Sequence, residues 1–139
     1  MNVVLQHAHP ILGSVPGPLS LATFGDVIWA AGGGCGFSAV FRFTEESGWL
    51  HFGSSARGLR AILPMSSERA IVVGEYGHAS IIDINEQERC FHTGTDACLF
   101  ALTRKPDGDF LTAGDDGTAS LRLQPGRERS ARRADSYLK

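Results

Sequence analysis

The sequence predicts an all-β fold assembled from three consecutive units of about forty residues. Three observations predict it: a glycine-bounded segment recurs at near-constant spacing, short β-branched and aromatic runs lie between turn residues, and no segment sustains a helical period. With 139 residues and 42% apolar content the chain can build one domain with a moderate core, and its 17 glycines fall at regular intervals, as turns do.

The recurring segment runs from Ala31 to Val40, from Val72 to Ile81 and from Thr112 to Leu121. Each copy reads G-x-x-G-x, then two small residues, then an aliphatic one. The glycine pairs are Gly33 and Gly36, Gly74 and Gly77, and Gly114 and Gly117, and their first members are 41 and 40 residues apart. A two-residue hairpin between the second and third strands of a unit needs positive φ, which these glycines are expected to supply. The small pairs Ser38–Ala39, Ala79–Ser80 and Ala119–Ser120 would let neighbouring units approach closely. Upstream, Ala22, Ala61 and Ala101 recur 39 and 40 residues apart; downstream, Trp49 to Phe52 and Arg89 to His92 read as a repeated outer strand.

The second unit shows all four strands. Leu59 to Leu63 is the first, followed by a turn over 65–68, and Ala70 to Val73 is the second. Glu75-Tyr76-Gly77 makes a tight turn, His78 to Ile84 is the third strand, 85–88 turns the chain again, and Arg89 to His92 is the fourth. Four antiparallel strands in about forty residues make one propeller blade. The predicted fold is therefore a partial β-propeller of three four-stranded antiparallel blades, over about 20–57, 58–96 and 97–125. Residues 1–19 form a lead-in with an N-terminal strand, and 126–139 form a basic tail expected to be disordered.

The stretch from Ile82 to Leu121 resembles the WD-repeat propeller family. Asp83 to Thr93 is similar to the family's end of third strand, polar turn and fourth strand, and Asp96 to Phe100 to the lead into the next blade. Lys105 to Leu111 contains its P-D-G turn, and Asp115-Asp116-Gly117-Thr118 its D-D-G-T hairpin. The resemblance covers one blade closely and the other two loosely. It implies a structural, turn-stabilising role for Asp116. The family's tryptophan–aspartate pair is reduced to Ile82-Asp83, Phe41-Arg42 and Arg122-Leu123, and its glycine–histidine pair is absent, so its buried hydrogen-bond network is incomplete in every blade.

The formal net charge of -2 sets up no strong field for a polyanion. The tail is basic, with Arg127, Arg129, Arg132, Arg133 and Lys139, but a solvated terminus explains it better than nucleic-acid binding, which is not expected. Cys35, Cys90 and Cys98 are odd in number and lack zinc spacing, so they read as reduced thiols, although Cys90 and Cys98 fit neighbouring strands. No secretory leader or membrane-spanning run is visible, and a cytoplasmic location is expected.

No enzyme motif appears: there is no G-x-S-x-G, HExxH or P-loop. The glycine run around Cys35 is not followed by a helical pattern, and Asp115 with Asp116 reads as a turn rather than an acid–base pair. His7 and His9 share one strand face but imply no third ligand, and His51 and His92 sit at repeated outer-strand positions. No cofactor, metal or catalytic residue is therefore expected. The rim loops supply the candidate binding residues Arg57, Glu75, Tyr76, His78, Asp96 and Asp115, and Tyr76 and Arg57 are of the types enriched at hot spots. The expected function is a non-catalytic protein-interaction scaffold. A lectin-like assembly and half of a split propeller enzyme are the alternatives. Because closed propellers have about 4 to 8 blades, ring completion by self-association or by a partner chain is also expected.

Overall fold

The computed structural model describes residues 20–34, 37–54, 58–115, 117–121, 123–124, 127–128 and 132–133, and they form an all-β fold. The first sheet holds β1 (Ser20–Phe24), β2 (Val27–Gly34), β3 (Phe37–Thr44) and β4 (Gly48–Gly53). The second holds β5 (Ala61–Pro64), β6 (Arg69–Val73), β7 (His78–Asp83) and β8 (Arg89–His92). Both are antiparallel meanders in chain order. The third begins with β9 (Leu99–Arg104), β10 (Phe110–Gly114) and β11 (Gly117–Leu121). After a small ladder of β12 (Leu123–Gln124) and β13 (Arg127–Glu128), β14 (Arg132–Arg133) returns to pair with β11 as the outermost strand. The third sheet thus draws its fourth strand from the basic tail. The lead-in 1–19 and the rest of the tail lie outside the described residues.

The sheets stack through their faces. β1 lies beside β5, and β5 beside β9, so the first strands of the three sheets are neighbours. Between the first and second sheets, Val27, Trp29, Ala31 and Val40 pack on Leu59, Ile62, Val72 and Ile82. Between the second and third, Val73, Ala61 and Ala79 meet Leu99, and Ile71 meets Phe110. The second sheet is covered on both faces, which is why Ala70 to Val73 is continuously apolar instead of alternating. Ala30, Ala39 and Phe41 are also fully buried, on the side of the first sheet turned away from the second.

Register corrects the repeat. Gly34 faces Phe37 and Gly114 faces Gly117 across the hairpins of the first and third sheets. In the second, Val73 faces Ala79 and the Gly74 amide donates to the His78 carbonyl at 3.0 Å. The equivalent glycines are therefore Gly34, Gly74 and Gly114, not Gly33, and the second hairpin carries one extra residue. Ala61 opposite Val73 matches Ala101 opposite Ala113, whereas Ala22 faces Trp29 and falls out of register. Of the glycines expected to supply positive φ, Gly33 (149) and Gly77 (68) do so, whereas Gly74 is extended at φ -163 and Gly114 is outside the left-handed region, and the second hairpin also places Tyr76 at a positive φ of 57. Gly36 and Asp116 lie outside the described residues.

The same register position carries different chemistry in neighbouring sheets. In the first, Trp29 faces Arg42, whose guanidinium lies 5.8 Å from the indole centroid while its Nε donates to the Ser67 carbonyl at 2.8 Å. Among the described residues the indole Nε1 has no hydrogen-bond acceptor, and the ring is held by burial and by Arg42. In the second, Arg69 faces Asp83 and donates to its Oδ2 at 2.9 Å, and the Asn85 amide donates to Oδ1 at 2.8 Å. Burial opposes ionisation of Asp83, but the Asn85 amide and the Arg69 guanidinium outweigh it and hold the carboxyl below the usual carboxylate range.

Candidate binding surface at one end of the sheets

The facing ends of β2 and β3 at Gly34 and Phe37, the β6–β7 turn, the facing ends of β10 and β11 at Gly114 and Gly117, and residues 58–60 and 93–98 lie at one end of the sheets, and the β6–β7 turn gives this end its shape. After β6 the chain makes a single 3₁₀ turn over Glu75–Gly77, with Tyr76 at φ 57, ψ 28. A non-glycine residue there costs about 1 to 2 kcal/mol, which the surroundings must offset. The Gly77 amide donates to the Ala97 carbonyl at 2.8 Å, and its own carbonyl accepts from the Thr93 amide and hydroxyl, each at 2.9 Å. A Cβ at Gly77 would collide with the Thr95 carbonyl, so only glycine lets the turn sit this close to the β8–β9 connection.

Glu75 anchors the other side of the turn. Its carboxylate accepts from Arg60 at 2.7 Å. The Arg60 guanidinium also donates to the carbonyls of Gly33 at 2.6 Å, Gly58 at 3.0 Å and Leu59 at 3.2 Å. Glu75 lies so tightly over Gly58 that a Cβ there would strike its side chain. One cation therefore joins the first sheet, the β4–β5 connection and the β6–β7 turn.

Held in this way, Tyr76 projects with 56% of its surface exposed. Its ring centroid is 6.4 Å from that of His78, which is 6.0 Å from that of His92, its cross-strand partner. The Gly94 amide donates to His92 Nδ1 at 3.1 Å, so the proton of the neutral ring sits on Nε2, facing Asp96 Oδ1 at 3.3 Å. The row ends at Asp96, whose side chain is 94% exposed.

Of the residues expected from sequence, Tyr76, His78 and Asp96 come together in this row. Glu75 does not; it turns inward to Arg60. Asp115 is exposed and separate, with its amide donating to the Cys98 carbonyl at 3.2 Å. Burial pushes the Cys98 thiol up, Arg60 opposes the shift, and Asp115 and Glu75 add to it. Arg57 and Cys35 lie outside the described residues. Sequence reasoning passed over His92 and Arg60. His92 reads only as a repeated outer-strand position until register sets it opposite His78, and the partners of Arg60 are mostly backbone carbonyls, which leave no pattern in a sequence.

At the opposite end of the sheets a cavity of about 600 Å³ opens beside the β1–β2 and β3–β4 turns. Asp26, Glu45 and Glu46 line it over Val27 and Leu50. Arg42 also lines it but is committed to Ser67 and Trp29. Among the described residues, no group of three or more His, Cys, Asp or Glu side chains is placed to hold a metal ion, and no helix is long and apolar enough to cross a membrane. Cys90 is exposed and its thiol donates to Ser80 Oγ at 3.6 Å, and Cys98 is half-buried. No protein-family model, curated protein or solved structure matches the chain.

Proposed function

We propose that the chain is a run of three β-propeller blades of WD-repeat type that serves as a non-catalytic, cytoplasmic protein-interaction scaffold and recognises its partner at the end where Tyr76 projects. Three stacked antiparallel sheets, two of them four-stranded meanders, with neighbouring first strands and a forty-residue register support the blade reading. The observation that carries the functional reading is Tyr76 itself. An exposed aromatic in a left-handed turn, fastened by Gly77 on one side and the Glu75–Arg60 pair on the other, is a pre-organised contact of the type that dominates interfaces. Backbone held in a sparsely populated region concentrates at functional sites.

Tyr76→Asn tests this reading, because asparagine tolerates the left-handed conformation and only the ring is lost. Immobilised wild-type chain and the variant, matched by circular dichroism, would be compared for proteins retained from soluble extract by quantitative mass spectrometry. A protein retained by the wild type and lost with Tyr76→Asn is expected. Identical retention profiles would overturn the assignment.

A further inference from the structure

We infer that the row from Tyr76 through His78 and His92 to Asp96 takes a basic segment of a protein partner, with an arginine stacked on the Tyr76 ring and a second cation paired with Asp96. This rests on the binding surface proposed above and adds the chemistry of what it binds.

Charge carries the inference. Arg60, the described cation of this end, is spent on Glu75 and three backbone carbonyls. Among the described residues, no lysine or arginine pairs with Asp96 or Asp115. Among the described residues, the carboxylate of Asp96 at the end of the row is therefore left without a lysine or arginine partner. An exposed tyrosine attracts a guanidinium through the negative face of its ring, and a carboxylate completes the match with charge-assisted hydrogen bonds. His92 Nδ1 accepts from the Gly94 amide and its Nε2 faces Asp96 Oδ1 at 3.3 Å, which leaves the outer face of the Asp96 carboxylate open. Successive ring separations of 6.4 and 6.0 Å make the row too long for one side chain. Same-face residues of an extended segment are about 7 Å apart, so two basic residues on one face of a strand-like peptide suit it.

The test is a titration of ¹⁵N-labelled full chain with a capped peptide of alternating arginine and glycine, beside a matched glutamate–glycine peptide and a neutral maltose oligomer. The arginine peptide is expected to shift the amides of Tyr76, His78 and Asp96, and less so as salt is raised. Tyr76→Asn should weaken binding about 2- to 5-fold. Asp96→Asn, at a side chain too exposed to affect folding, should weaken it by a similar factor. Equal shifts with the glutamate peptide or the sugar would overturn the inference. So would shifts centred on Asp26, Glu45 and Glu46, or affinity unchanged in both variants. If extract proteins still depend on Tyr76 while the arginine peptide fails to bind, only the partner chemistry falls and the scaffold reading stands.

Discussion

On the side turned away from its predecessor, the second sheet carries Ala61, Leu63, Ile71 and Val73, and the third carries Ala101, Thr103, Leu111 and Ala113 at the same register positions. In the second sheet Ile71 and Val73 are fully buried beneath the third. In the third sheet Ala101 and Thr103 are exposed, and Leu111 and Ala113 are half-buried. A branched aliphatic has become threonine, and another has shrunk to alanine. Identical backbone pairing therefore serves two purposes: a dry interface in one sheet and a face that meets water in the next. Stacked repeats make this distinction where an outer face has to stay soluble.

Substitutions can break the comparison or sharpen it. The largest effect is expected from Phe110→Ala, because Phe110 is 1% exposed and joins the third sheet to Ile71, Leu63 and Phe91. Urea denaturation should show a loss of about 3 to 5 kcal/mol. A loss below about 1 kcal/mol would mean that this interface does not hold the sheets together. The sharper experiment is a matched pair. Ile71→Ala should cost about 2 to 5 kcal/mol, and Leu111→Ala, at the equivalent place, no more than about 1 kcal/mol. Equal costs would show that the far side of the third sheet is covered after all.

The smallest effect concerns the pair that links Arg69 to Asp83 in the second sheet and is replaced by Trp29 and Arg42 in the first. The Asp83 carboxyl ionises more readily folded than unfolded, so its contribution is present above the ordinary carboxylate range and is lost as pH falls through the lower, folded value. Asp83→Asn should remove about 1 kcal/mol near neutrality and flatten the acid limb of a stability profile. An acid limb identical in wild type and variant would remove the carboxylate from the account.

Much of the second sheet was legible from composition and pattern, because strong β-formers lie between polar turns: β8 has the expected bounds, and β6 and β7 differ by a residue at one end. The first repeat was misread by one residue for a physical reason. In a run of glycines, G-x-x-G does not reveal which one closes the hairpin; only pairing of Gly34 with Phe37 does. β14 escaped because two arginines show no apolar alternation, and the strand exists through backbone pairing with β11. The candidate surface was half legible. Loop residues suitable for contact could be named, but which of them face one another depends on register and on long-range anchors such as Gly77 against Thr95.

The reach of Arg60 has a consequence for any attempt to treat these sheets as modular. Grafting 61–92 onto another protein would transfer the tyrosine-bearing loop without its latch, since the guanidinium and the Gly33 and Gly58 carbonyls it grips would stay behind. The smallest portable piece is a two-sheet cassette that begins in the first sheet.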